Sequence, residues 1–336
     1  MFRRILAAAA LLALAAGLVL AAWPQLLGLE RTPVVAQIVS LRGLAVLVAA
    51  ALVILFTLIS LISAPGRRFA GAVALLLLAF CAVTVAVLAT RGFGDPGLQT
   101  RAPGDVLVLS WNTLGDAPGA DAIAELAVRS EADVVVLPET SAETAAIAAA
   151  ILTSEGRPMQ ALHLSLDEIS KARTTAVLIS AGLGDYVLDD SAGTTPTLPS
   201  LIARPADGTG PTIVAAHPVA PVPGEMEAWR DGLAWLADRC AGENVILAGD
   251  LNSTLDHYTG LGVDGGDLGR CHDAARATGN AAVGTWPTSF PPLLGSPIDH
   301  VMATDEWQIV GFRVVASRDG EGSDHRPVLA QLRPAS

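Results

Sequence analysis

The sequence predicts an α/β layered domain that is preceded by three transmembrane helices. Three long apolar runs occupy the first 90 residues, and strand-like and helix-like segments then mostly alternate from residue 105 to residue 333. The chain has 336 residues, of which 51% are hydrophobic. That share is high for a single water-soluble domain, and it fits a membrane section joined to one sizeable domain.

The three apolar runs cover residues 5–23, 43–62 and 69–90. Each has roughly the 20 residues that a helix needs to cross the hydrocarbon core of a bilayer. We therefore assign residues 1–90 to a membrane anchor. The first run has an alternative interpretation as a cleaved signal peptide, because Arg3 and Arg4 precede it and small residues end it.

The arginines beside these runs predict the orientation of the chain. Arg3 and Arg4 precede the first run, and Arg67 and Arg68 lie between the second and the third. Both places should be cytoplasmic by the positive-inside rule. We therefore expect a multi-pass protein of the cell membrane whose chain after residue 91 lies outside the cytoplasm, and cleavage of the first segment would leave that side unchanged.

Residues 91–104 contain Gly, Pro and polar residues without periodicity and are interpreted as a linker, which leaves residues 105–333 as one domain. Seven of the 21 Lys and Arg and two of the 33 Asp and Glu precede residue 101, so the remaining 14 cationic and 31 anionic residues give a net charge of −17. A protein that grips extended nucleic acid normally has a basic face. The charge therefore favours a phosphorylated small molecule or lipid as substrate.

Cysteine and histidine usage adds two expectations. Cys240 and Cys271 lie in the external domain, where a disulfide is permitted, and we expect two unpaired buried thiols. Three histidines have no partner pattern and are expected at the surface: His163, His257 and His272.

The segment 246–253, Ile-Leu-Ala-Gly-Asp-Leu-Asn-Ser, is the strongest local motif. At a strand end its spacing directs Asp250 and Asn252 to the same side, while Leu251 turns into the core. The carboxylate can orient or deprotonate water and the carboxamide can donate to a phosphoryl oxygen, which suits work on a phosphorus centre. An Asx-rich turn after a strand is the alternative.

Polar residues follow other predicted strands in the same way. Strand-like runs at 106–112, 132–137 and 211–216 deliver Asn112, Glu139 and His217, and a run at 297–302 has Asp299 near its start. Asp324 and His325 precede a final strand at 328–332. Further strands are predicted at 174–180 and 198–203, and helices at 121–129, 141–152 and 225–240, with Ser141 as an N-cap.

Six motifs follow one another along the domain: Trp111-Asn112, Glu139 at a strand end, His217, Gly249-Asp250-Leu251-Asn252, Ile298-Asp299-His300 and Ser323-Asp324-His325-Arg326-Pro327. As an ordered set over roughly residues 106–332 they resemble the endonuclease/exonuclease/phosphatase family. The resemblance implies a metal-dependent phosphoesterase with a four-layer α/β sandwich of two mixed sheets. The three-span anchor further resembles bacterial teicoplanin-resistance membrane proteins.

With this resemblance, each site residue receives an expected role. Glu139 is the first candidate ligand for Mg²⁺, or Mn²⁺, with Asn112 as an oxygen ligand or orienter. Asp324 would complete the site or serve a second ion. His325 would act as general base or as a phosphate-contacting acid, with its ring held by Asp299. Asp250 would position or deprotonate water, while Asn252 and His217 donate to phosphoryl oxygens. His300 should face away from this site.

The sequence therefore predicts a membrane-anchored, extracytoplasmic phosphoesterase that hydrolyses a lipid-linked phosphate ester or diphosphate. The alternatives are a cell-surface nuclease acting on DNA or oligonucleotides, and a binding protein that has kept the fold without catalysis. No protein partner is implied. An apolar loop at residues 284–294 either covers the core or forms a rim that touches a lipid tail.

Overall fold

The computed structural model describes residues 1–94, 97–167 and 169–335. Its N-terminal part consists of four helices: α1 (Phe2–Ala22), α2 (Val35–Ser40), α3 (Arg42–Ile62) and α4 (Arg67–Arg91). α1, α3 and α4 are long and apolar enough to cross a membrane, and they coincide with the three predicted runs. α3 and α4 pack along each other, and Leu18 and Ala22 of α1 join Leu77 and Phe80 of α4 in one apolar cluster.

Within the described residues, twelve strands form two sheets: β1 (Val106–Ser110), β2 (Val134–Pro138), β3 (Met159–Ser165), β4 (Thr174–Ser180), β5 (Tyr186–Leu188), β6 (Leu201–Pro205), β7 (Thr212–Ala216), β8 (Val245–Asp250), β9 (His272–Asp273), β10 (Asp299–Ala303), β11 (Trp307–Val314) and β12 (Val328–Pro334). The first sheet has the order β11-β12-β1-β2-β4-β3, and the second has the order β5-β6-β7-β8-β10-β9. β1 with β2 and β7 with β8 are parallel, whereas the other pairs are antiparallel.

Alternation of strand residues builds the layers. Val134 and Val136 of β2 point into the core between the two sheets, while Val135 and Leu137 point outward. The outer layers are made by α5 (Gly119–Arg129) and α6 (Ala142–Ser154) on the first sheet and by α7 (Met226–Arg239) on the second. The short helix α8 (Ala274–Ala277) instead contributes Ala274 and Ala275 to the core between the sheets. The fold is therefore the α/β sandwich of two mixed sheets that the sequence predicted.

Most predicted elements are present with shifted ends. Ser141 caps α6 as expected, because its Oγ accepts a hydrogen bond from the Thr144 amide at 3.2 Å. β3, β5, β9 and β11 were not predicted. Each lies at an edge of its sheet, so fewer of its side chains are buried and the apolar pattern is interrupted.

Two of the sequence-based expectations are wrong. Cys240 and Cys271 form a disulfide, because the backbone bond from the Arg270 amide to the Cys240 carbonyl brings the end of α7 and the following loop to a Cα–Cα distance of 5.5 Å. His257 is buried rather than at the surface, because its Nε2 lies 3.2 Å from the Ala36 carbonyl oxygen of α2. His163 is exposed, as expected, and His272 is half-buried.

The anchor is packed against the α/β domain through polar and close backbone contacts. Asp256 accepts hydrogen bonds from Arg42 at the start of α3 and from Arg91 at the end of α4. Gly43 lies so close to the Leu293 carbonyl that an added Cβ would come within 1.8 Å of its oxygen. The segment that runs from Asp250 to Asp256 therefore joins the polar sheet edge to the ends of two candidate spans.

Candidate active site

Two parallel strands of the first sheet place Asn112 and Glu139 side by side. The backbone pairing continues beyond β1 and β2, because the amide of Thr113 donates to the Pro138 carbonyl at 3.1 Å. The amide Nδ2 of Asn112 donates to Oε1 of Glu139 and to Oδ2 of Asp250, at 3.0 Å in both cases. Asn112 therefore links the two sheets, and its Oδ1 accepts from the amide of Leu114.

Two parallel strands of the second sheet place His217 and Asp250 at the same edge. Gly249 allows their close approach, because an added Cβ would lie 1.9 Å from the Ala216 carbonyl oxygen. Asn252 has a left-handed backbone with φ of 45°, and its amide donates to Oδ1 of Asp250 at 2.9 Å. Asp250 and Asn252 do lie together, with Nδ2 of Asn252 3.3 Å from Oδ2 of Asp250, through an Asx turn rather than strand alternation.

The third group of site residues lies at β10 and just before β12. Asp299 is paired directly opposite Asp250 in the antiparallel register. Nδ1 of His325 lies 2.9 Å from Oδ2 of Asp299, and its Nε2 lies 3.7 Å from Oδ2 of Asp250. Asp324 is also near, with Oδ1 3.9 Å from Nε2 of His325. His300 faces elsewhere, with Nδ1 2.6 Å from Oδ2 of Asp273.

The edge thus brings together all eight residues that the sequence singled out: Asn112, Glu139, His217, Asp250, Asn252, Asp299, Asp324 and His325. His217 is joined to the group through Glu139, whose Oε1 lies 3.7 Å from its Nε2. Both ring nitrogens of His217 are buried without a hydrogen-bond partner in the described part of the chain. Their hydrogen-bonding capacity is therefore unused within these residues.

Burial and charge set the protonation of the two histidines in opposite directions. Burial, with help from the nearby positive charge of His325, lowers the pKa of His217 to about 3, so this ring is neutral at neutral pH. Burial alone would lower the pKa of His325 as well, but Asp299 and Asp250 outweigh it and raise the pKa to about 10. The surroundings therefore favour the neutral form of His217 and the cationic form of His325.

The carboxylates show that the site is rich in negative charge. Burial raises the pKa of Glu139, and the charges of Asp324 and Asp299 act in the same direction against the hydrogen bond from Asn112. Burial also raises the pKa of Asp250, while the charge of His325 opposes this effect. Asp299 and Asp250 lie opposite each other on paired strands, where like charges repel.

These oxygens fit a divalent cation. Oδ1 of Asp299 and Oδ1 of Asp324 are buried without a hydrogen-bond partner among the described residues, and Glu139 keeps its side chain 18% exposed at the site. Hard cations such as Mg²⁺ and Mn²⁺ prefer oxygen ligands of this kind. Asp250, Asp299 and His325 form a possible metal site, because their ligand atoms all lie within 4.8 Å of one another.

Several residues that hold the site were not identified from the sequence. Trp286 donates from Nε1 to Oδ2 of Asp324 at 2.8 Å, and Thr285 Oγ1 accepts from the Asp299 amide at 3.1 Å. Arg326 is buried and donates to carbonyls of the same 284–290 segment, including Phe290 at 2.8 Å. Ser323 Oγ donates to the Asn112 carbonyl. Ser323 and Arg326 belong to the Ser-Asp-His-Arg-Pro motif, which is the sequence signal that could have identified them.

Comparison with known proteins agrees with this geometry. Residues 109–325 match the model of the Endonuclease/Exonuclease/phosphatase family. A crystal structure of an endonuclease/exonuclease/phosphatase from Beutenbergia cavernae is 21% identical, with 69% of this chain and 72% of that chain covered and a TM-score of 0.50. Comparison with curated proteins gives no match.

Two further solved structures share the fold at low identity. An endonuclease/exonuclease/phosphatase from Bacteroides vulgatus is 16% identical over 69% of this chain and 99% of that chain, with a TM-score of 0.50. D. rerio TDP2, in complex with single strand DNA product, is 16% identical over 68% and 99%, with a TM-score of 0.51. By the family match, the chain belongs to the endonuclease/exonuclease/phosphatase family, whose members are phosphoester hydrolases.

Proposed function

We propose that the protein is a membrane-anchored phosphoesterase that hydrolyses a lipid-linked phosphate ester or diphosphate outside the cytoplasm, with Mg²⁺ or Mn²⁺ as cofactor. The observation that carries the proposal is the convergence of two parallel strand pairs, one from each sheet, on Asn112, Glu139, His217 and Asp250. Carboxylates, amides and imidazoles at one edge are what water attack on phosphorus requires.

Each residue of the site has its own role in the proposed hydrolysis. Asp250 is a buried carboxylate that can hold the attacking water, and Asn112 fixes its orientation through the 3.0 Å hydrogen bond. His325 is oriented by Asp299 and presents Nε2 toward Asp250, where it can transfer a proton or contact a phosphoryl oxygen. His217 is neutral and can donate one N–H to a phosphoryl oxygen, beside the carboxamide of Asn252.

The divalent cation would be held by Glu139 and Asp324, with Asn112 as orienter. When bound, such an ion polarises a phosphoryl oxygen and neutralises the charge that develops on it. Trp286 acts on the same group indirectly, because its Nε1 holds one oxygen of Asp324 and leaves the other without a hydrogen-bond partner among the described residues. This division of the carboxylate suits a ligand role for the free oxygen.

A membrane-borne substrate is supported by the path from the anchor to the site. Gly43, at the start of α3, touches the backbone of Leu293 in the 284–295 loop. The side chains of Phe290 and Leu293 are 38% and 48% exposed, and Trp286 of the same loop binds Asp324. The loop therefore offers apolar surface near the membrane and a polar contact at the site. Neither the net charge of −17 from residue 101 onward nor this surface suits an extended polyanion.

The test is a substrate comparison with the full chain in detergent. A polyprenyl diphosphate, a soluble phosphomonoester and plasmid DNA are incubated with Mg²⁺ and with a chelator. Mg²⁺-dependent phosphate release from the lipid, with little cleavage of DNA, is the expected outcome. Cleavage of DNA without phosphate release from the lipid would replace the proposal with a cell-surface nuclease. Inactivity of Asp250→Asn toward every substrate assigns the activity to this site.

A further inference from the structure

A cavity lies where the candidate spans meet the α/β domain, and none of the eight active-site residues lines it. Its volume is about 520 Å³. Trp23 follows α1 and Thr90 lies at the end of α4, so the cavity is at the level where the helices leave the apolar region. Three arginines line it: Arg42, Arg91 and Arg276.

The charges at this cavity are not balanced. Asp256 is the shared partner of Arg42 and Arg91, with contacts of 2.7 Å to Nη2 of Arg42 and 2.8 Å to Nη2 of Arg91. Arg276 is paired with Asp267. Among the described residues that line the cavity or pair with its arginines, three guanidinium groups are matched by two carboxylates. Arg42 and Arg91 share the single carboxylate of Asp256, which leaves one positive charge in excess at a site where Arg42 is only 4% exposed. Excess charge at such a depth is unfavourable unless an anion approaches it.

The polar cavity continues into an apolar groove between α1 and α4. The groove has a volume of about 260 Å³ and shares Ala22 and Trp23 with the polar cavity. Leu18 of α1 and Ala79 and Val83 of α4 are among the apolar side chains that line it. A ligand that fills both spaces must have an anionic head and a hydrocarbon tail.

We propose that this site binds one anionic glycerophospholipid, with its phosphate in the arginine-lined cavity and one acyl chain in the groove. Free phosphate would match the cavity but leave the groove unused, and a neutral lipid would leave the excess positive charge uncompensated. Arg276 is the accessible contact, because its side chain is 62% exposed whereas those of Arg42 and Arg91 are 4% and 13% exposed. The proposal depends on the membrane placement of α1 and α4 but not on the chemistry of the active site.

The experiment measures lipid retention by the full chain in nanodiscs of mixed phosphatidylcholine and phosphatidylglycerol, followed by native mass spectrometry after extraction. The wild type should retain phosphatidylglycerol in preference to phosphatidylcholine. Arg276→Gln should reduce that preference about fivefold, the effect of one cationic side chain near a membrane surface. Ala79→Phe, which fills the groove, should also reduce retention while leaving all three arginines in place.

Arg129→Gln is the matched control, because Arg129 is an exposed arginine paired with a carboxylate, Glu125, on α5. It should leave retention unchanged. Equal retention of the two lipids by the wild type, or equal losses in Arg276→Gln and Arg129→Gln, would overturn the proposal. Displacement of the lipid by millimolar inorganic phosphate would also overturn it, since the site would then recognise phosphate without the acyl chain.

Discussion

Oδ2 of Asp299 lies 2.9 Å from Nδ1 of His325, and both residues are buried. This contact fixes the ring so that Nε2 faces Asp250. If the pair works in the transition state, Asp299→Asn and His325→Ala should each lower turnover by roughly 10²–10⁴-fold. The double variant should lose little beyond the worse single variant, because residues that act as one unit are strongly non-additive.

Asp273 provides the matched control for this pair. It makes a similar buried contact with His300, 2.6 Å between Oδ2 and Nδ1, away from the active-site group. Asp273→Asn should lower the thermal midpoint but leave the turnover of the folded protein close to that of the wild type. If Asp299→Asn behaves in the same way, Asp299 is structural. Independent, multiplicative losses for Asp299 and His325 would mean that they do not act together.

Glu139→Gln tests the metal assignment. The change keeps the shape of the side chain and still allows the hydrogen bond from Asn112, but it removes the negative charge. The protein should therefore fold, and it should bind divalent cations at least about tenfold more weakly. Mn²⁺ binding followed by electron paramagnetic resonance gives a readout that does not depend on activity. Glu143→Gln removes an exposed carboxylate from the first turn of α6 and should leave Mn²⁺ binding unchanged. Wild-type affinity in Glu139→Gln would remove Glu139 from the ligand set.

The location of the site could be predicted from the sequence because its signals are local. Each of the parallel strands β1, β2, β7 and β8 is a short apolar run with a polar residue at or just after its C-terminal end, and parallel neighbours present those ends at one edge. The Asp299–His325 contact itself could only be inferred from the motif order. The position of Asp299 opposite Asp250 depends on strand pairing across the sheet, which no local pattern encodes.

The features that the sequence did not predict are contacts between distant segments. His257 was placed at the surface because the covering carbonyl of Ala36 belongs to the anchor, far away in the chain. Arg42 and Arg91 have no predicted partner in the sequence, although both bind Asp256. Asn252 required a left-handed backbone, which asparagine tolerates but does not specify.

Asp105 should make stability depend on acid pH. The hydrogen bonds from Arg333, at 2.8 and 2.9 Å, hold the pKa of this buried carboxyl well below its usual range, with the Ala102 amide and Gln331 acting in the same direction against burial. The folded state thus binds the proton less readily than the unfolded state, whose Asp pKa is about 3.9. Its contribution is present above that pH and is lost as the pH falls toward the lower, folded pKa.

The measurement is the thermal midpoint of the wild type and Asp105→Asn between neutral pH and about pH 3. The variant should be less stable at neutral pH, and the difference should shrink as the pH falls. Asp185→Asn removes one exposed charge and serves as a control for net charge. A difference between wild type and Asp105→Asn that stays constant with pH would contradict the assigned shift.

The membrane topology is tested with a C-terminal tag. In the proposed orientation, three spans with cytoplasmic Arg3, Arg4, Arg67 and Arg68 would place the α/β domain outside the cytoplasm. An impermeant reagent should therefore label the tag in intact cells, or in cells opened only at the outer membrane. A reporter in the short turn between α3 and α4 should stay protected under the same conditions. Labelling of the C-terminal tag only after the inner membrane is opened would reverse the proposed orientation.

The contact between Asp256 and the two anchor arginines predicts changes in the free energy of unfolding that depend on the charge left at this site. Asp256 and Arg42 are 2% and 4% exposed, and the hydrogen bonds from the arginines lower the pKa of Asp256 well below its usual range despite its burial. Asp256→Asn leaves two guanidinium groups without a carboxylate, that of Arg42 buried and that of Arg91 13% exposed. The change should cost about 3–5 kcal/mol of unfolding free energy. Arg91→Gln leaves one guanidinium and one carboxylate and should cost much less.

The double variant distinguishes charge from packing. In Asp256→Asn the two arginines repel each other, so adding Arg91→Gln should recover part of the lost stability rather than reduce it further. Thermal unfolding of the full chain in a neutral detergent, followed by tryptophan fluorescence, measures all four proteins without an anionic lipid to compensate the charge. Asp305→Asn, which removes a more exposed carboxylate from its contact with His272, should change the midpoint little. If the double variant is less stable than Asp256→Asn alone, Asp256 contributes through packing and hydrogen-bond geometry, and the charge imbalance at this boundary is not what destabilises the protein.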